Sequence, residues 1–112
     1  MSLTLFFAMA MSMAQGDPVE SARAGYNACL TTYTNEALEA KKTPAEFTKA
    51  VGGACATEKT KLLEAMVKSE MQYGGKKADA ESYAAEETQM IVDSYVGSYG
   101  DYLSSNTRHG KG

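Results

Sequence analysis

The chain has 112 residues, 44% of them apolar, with 14 carboxylates against 11 Lys and Arg. That length bounds it to one domain, and the apolar content excludes a disordered chain. The mild acidity and the lack of any basic block exclude a nucleic-acid backbone as partner. Ala and Glu are frequent and runs of β-branched residues are missing, which favours helix throughout.

The first element is an apolar leader. Leu3 to Met13 reads LTLFFAMAMSM without a charge, the length of a signal-peptide core and too short to span a bilayer. Small residues in Ser12-Met13-Ala14 predict cleavage after Ala14, with a second candidate after Ala10 at Ala8-Met9-Ala10. No Lys or Arg precedes the apolar run, so only the amino terminus or an upstream start supplies positive charge. The competing reading is a buried N-terminal helix. The continuous, rather than one-sided, apolar run argues against it. Met1, Met9, Met11 and Met13 account for four of seven methionines, so the mature part is no copper-binding thioether cluster.

Residues 15–104 are expected to form an all-α domain, a three-helix bundle. Asp17-Pro18-Val19-Glu20 is a helix start, with Asp17 as cap and Pro18 in the first turn. Helix one is expected over 18–41, with a face of Val19, Ala22, Tyr26, Cys29 and Tyr33. Thr43-Pro44-Ala45-Glu46 repeats the start signal and predicts helix two over 44–73. Its face is Phe47, Val51, Cys55, Leu62 and Met66, with Tyr73 in line. Gly52 and Gly53 weaken it internally, and Gly74-Gly75 ends it. Asp79 is expected to cap helix three over 79–104, with Ala80, Ala84, Thr88, Ile91, Tyr95, Tyr99 and Tyr102 on its face. The tail 105–112 has no apolar residue and is expected to be disordered.

The two cysteines carry the strongest signal. Cys29 lies as far before the turn at Lys42 as Cys55 lies after it, so an antiparallel hairpin brings them to the same height. Helix packing then sets their Cα atoms within disulfide range. Gly25 and Gly52 nearby would permit close approach. A structural Cys29–Cys55 disulfide is expected, in the oxidising compartment that an export signal supplies. A redox or metal-binding pair is the weaker alternative, because redox pairs come as C-x-x-C and zinc needs more ligands. In the same register, pairs whose numbers sum to that of Cys29 and Cys55 face one another. These include Tyr33 with Val51, Ala22 with Leu62 and Tyr26 with Glu58. The last suggests a hydrogen bond from the Tyr26 hydroxyl to the Glu58 carboxylate, against the alternative that Glu58 leans into solvent.

No catalytic set can be named. His109 is the single histidine and sits in the polar tail. Haem-attachment, zinc-protease and nucleophile-elbow motifs are missing. Glu81, Glu86 and Glu87 are read as dipole compensation near a helix start rather than as an acid–base pair. Tyr95, Tyr99 and Tyr102 are the candidate interaction face, weighed against a half-buried seam with hydroxyls reaching water. Tyr83 and Met90 project from another side and suggest a small exposed apolar patch. The expectation is a periplasmic or secreted, non-catalytic helical protein. It would bind a protein or envelope component, or a second copy of itself, without a cofactor and without a membrane span once the leader is removed. The alternatives are a small-molecule or metal-binding bundle, with a polar pocket near Glu58, and, more remotely, an enzyme.

Overall fold

The computed structural model describes residues 17–108. The leader 1–14, its cleavage positions, His109 and the last residues of the tail lie outside them. Four helices follow in order: α1 (Pro18–Glu39), α2 (Pro44–Val51), α3 (Ala56–Gln72) and α4 (Lys77–Ser105). Among the described residues there is no strand, and the all-α bundle with a stapled hairpin is the fold.

Local chemistry explains most boundaries. Asp17 accepts from the Val19 amide at 2.9 Å, and Pro18 occupies the first helical position, where no N–H partner is required. Thr43 and Glu46 form a complete capping box, each side chain bonding the other's backbone amide. α1 ends with Lys41 in the left-handed conformation (φ 57°), and the Lys42 amide reaches back to the Ala37 carbonyl. α3 ends the same way on Gly74 (φ 95°), with the Gly75 amide bonding the Glu70 carbonyl. Glycine suits that backbone; lysine carries a Cβ into it.

Two expected boundaries move. The single helix expected over 44–73 is broken: Gly52 to Cys55 form a turn, and Cys55 is left-handed at φ 60°. Two successive glycines lower the cost of leaving the helix there. The break lets α2 pack against α4 as well as α1, while α3 takes a new course along both. The last helix starts two residues earlier than expected. Its cap position is Lys76, without a side-chain hydrogen bond, and Asp79 falls inside the first turn. At the other end Ser105 is still helical, Asn106 terminates the helix, and Arg108 pairs with Glu39. The expected tail therefore begins later than Ser105.

The disulfide joins Cys29 and Cys55, with Cα atoms 6.0 Å apart. It fastens α1 to the turn that separates α2 from α3. Closing a loop with a sequence separation of 26 constrains the unfolded chain by about 3.5 kcal/mol in the chain-entropy treatment. Gly25 and Gly52 are not needed for this approach, since a Cβ on either would meet nothing within 4 Å.

The core is slightly rotated from the expected α1 face. Tyr26, Leu30, Thr34 and Ala37 are buried on α1, whereas Val19, Ala22, Cys29 and Tyr33 are half-buried at its edges. They meet Phe47 and Val51 of α2, Leu62 and Met66 of α3, and Val92, Tyr95 and Tyr99 of α4. Phe47 stacks on Tyr99 with ring centroids 4.1 Å apart, and Tyr33 tilts against it at 5.9 Å. Tyr73, expected in line with the α3 face, is 88% exposed, because it lies past the end of α3 where nothing covers it.

Candidate functional site

The tyrosines expected to form an interaction face are mostly interior. Tyr95 and Tyr99 are buried, and only Tyr102 of the three remains half-exposed. Their hydroxyls bond protein rather than water. Tyr99 donates to the Lys42 carbonyl at 2.8 Å, and Tyr95 donates to the Asn27 carbonyl at 3.0 Å and lies 3.1 Å from Thr31 Oγ1. The period of the α4 face, which turns these rings inward, outweighs their amphipathic character. Burial, then the nearby Glu46 carboxylate and Tyr33, raises the Tyr99 pKa above the ordinary 10.0.

The Tyr26–Glu58 hydrogen bond does not form. The Tyr26 hydroxyl is enclosed and makes no hydrogen bond. Its ring enters the core close to Tyr95, and burial followed by that neighbour raises its pKa. Glu58 stays at the rim in the first turn of α3, with a carboxylate oxygen within 4.8 Å of both disulfide sulfurs. Cys29, Cys55 and Glu58 thus form a three-donor cluster in outline. With the sulfurs joined to one another neither is a thiolate, and the thiolate is the form that ligates metal. One carboxylate alone makes no metal centre.

The acidic group on α4 divides. Glu87 pairs with Arg23 of α1 at 3.6 Å, while Glu81 and Glu86 are exposed. Tyr83 and Met90 are exposed at 47% and 64%, as expected for side chains off the core face.

A different region supplies an apolar groove, between α3 and α4. Leu63, Val67 and Met71 recur every four residues on α3 and form one stripe. Opposite them α4 presents Ala84 and Ala85, whose small side chains leave a groove of about 790 Å³. Glu64, Lys68, Lys77 and Glu81 line it with balanced charge. Leu63 and Val67 are half-buried and Met71 is 46% exposed. Among the described residues the groove lining is apolar along the floor and charged at the rim, a surface suited to apolar contact.

The α3 stripe of Leu63, Val67 and Met71 is readable in the sequence, and the small residues Ala84 and Ala85 of α4 face it across the groove. Among the described residues, no helix is long and apolar enough to cross a membrane. No family model matches the chain, and neither a curated protein nor a solved structure shows significant similarity to it.

Proposed function

We propose that this is an exported, non-catalytic helical protein that binds another protein or an envelope component through the α3–α4 groove. The observation that carries the reading is the groove itself. It is apolar, open and rimmed by charges of both signs. Such surfaces accept an apolar stretch of chain. The disulfide supports the export half of the proposal, because such bonds persist in oxidising compartments.

The test has two readouts on protein exported by a host with a secretion pathway. Intact mass is expected to show a chain beginning at Gln15 with no free thiol. A retained leader, or two free thiols, would overturn the export reading. Envelope material captured by this protein is expected to be lost with Met71→Glu and retained with Met90→Glu. Equal capture by both variants would remove the groove as the contact surface.

A further inference from the structure

We infer that Cys29, Cys55 and Glu58, while the two cysteines are thiols and not yet joined, form a site for one divalent cation of the zinc type. Cation and disulfide are then alternative ties between α1 and the turn 52–55. The three side chains come from α1, from that turn and from the first turn of α3. Their sulfur and carboxylate oxygen atoms lie within 4.8 Å of one another. In a tetrahedral zinc site with bonds of about 2.0–2.3 Å, neighbouring donors stand roughly 3.5–3.8 Å apart. Cα atoms 6.0 Å apart let two unjoined sulfurs take that spacing by rotation about Cα–Cβ, with neither helix displaced.

Glu58 supplies the independent sign of a cation. It is half-buried, and among the described residues its carboxylate makes no hydrogen bond or ion pair. Lys59, next in sequence, turns instead to the Gly52 carbonyl at 3.4 Å. A partly desolvated anion beside two sulfurs, with no partner of its own, is a ligand in waiting. Cys55 occupies the N-cap position of α3 without a side-chain cap bond, so the positive end of the helix dipole favours its thiolate. Two thiolates select a borderline-soft ion over magnesium or calcium, and the half-buried rim leaves the fourth position to water. Every chain carries these thiols before its disulfide closes. Binding then exchanges two thiol protons for the cation. Closing the disulfide passes two electrons to a disulfide-bearing oxidant, which leaves as a dithiol, and the cation is released. The site shares no residue with the groove lining, so the two readings stand or fall separately.

The full 112-residue chain tests this, reduced by a dithiol that is then removed under argon, and titrated with Co2+ as the spectroscopic stand-in for zinc. One Co2+ per chain is expected, with a thiolate-to-cobalt charge-transfer band that Zn2+ abolishes by displacement. Zn2+ is also expected to slow alkylation of both thiols about tenfold. Cys29→Ser and Cys55→Ser are each expected to remove the band. Glu58→Gln is expected to weaken Co2+ binding about tenfold or more, while its oxidised form keeps the helicity of the parent and so shows that the variant folds. His109→Ala is expected to leave binding unchanged. The oxidised parent is expected to give no band. A reduced chain without the band, folded or not, would overturn the inference. So would one ion shared by two chains, an affinity unmoved by Glu58→Gln, or binding lost with His109→Ala.

Discussion

At the α2 end of the bundle, the rings of Tyr33, Phe47 and Tyr99 fill the space between three helices, and the Tyr99 hydroxyl is tied to the Lys42 carbonyl. Along the α3–α4 groove, the small side chains of Ala84 and Ala85 stand opposite Leu63, Val67 and Met71. One end is filled by large side chains from three helices; the other carries an open groove with small side chains on one wall. Stability is therefore expected to concentrate at the closed end and binding capacity at the open one, a division that binding proteins need because a filled core has no surface to offer.

The largest test of this contrast compares two truncations. Phe47→Ala is expected to cost about 3–5 kcal/mol, since it empties a stacked, enclosed site. Met71→Ala is expected to cost about 0.5 kcal/mol or less, because its side chain is already half in water. Urea midpoints at unchanged slope would measure both, and similar losses at the two sites would end the contrast.

A finer comparison sets Tyr99 against Tyr26. Tyr99→Phe removes a made hydrogen bond and is expected to destabilise by about 1 kcal/mol. Tyr26→Phe removes a hydroxyl with no partner and is expected to stabilise by about 1 kcal/mol. Both phenols have pKa values raised above 10.0, first of all by burial. The folded state therefore keeps these protons after the unfolded chain has lost them. Their contribution is complete below pH 10 and is lost as pH rises from there through the folded pKa values. Either Phe variant is expected to flatten the alkaline limb of a stability–pH curve, and an unchanged limb in both would show that other groups set it.

The smallest effect concerns the closed end's own turn. Lys41 holds a left-handed backbone that glycine adopts freely. Lys41→Gly is expected to stabilise by about 0.5–1 kcal/mol, the relief at the turn exceeding the added freedom of the unfolded chain. Calorimetric melting would register it as a rise in Tm of a few degrees.

Features determined by neighbouring residues were legible in the sequence. Asp17-Pro18 and Thr43-Glu46 act within one turn, so their pattern alone locates two helix starts. The cysteine pair was legible because turn position and helical rise together determine its height. Features determined by competition between elements were not. Gly52-Gly53 is compatible with either a weakened helix or a break, and the packing of α2 on α4 decides for the break. The α1 stripe passes through Leu30 and Thr34 rather than Cys29 and Tyr33. A buried threonine whose hydroxyl finds no partner is a choice that polarity argues against. Tyr95 and Tyr99 sit at seam spacing on α4, but the sequence does not show that their hydroxyls end on backbone carbonyls rather than in water. The groove depended on which faces of α3 and α4 meet, a property of neither helix alone.

The position of the staple has a further consequence wherever a protease meets the chain. The disulfide encloses Lys41 and Lys42, an exposed dibasic pair in the α1–α2 turn. A cut there divides the backbone yet leaves the two pieces covalently joined through Cys29 and Cys55. The first piece keeps all of α1, the second keeps α2, α3 and α4, and the α3–α4 groove lies wholly on the second. The nicked molecule thus retains the whole groove on one unbroken stretch of chain.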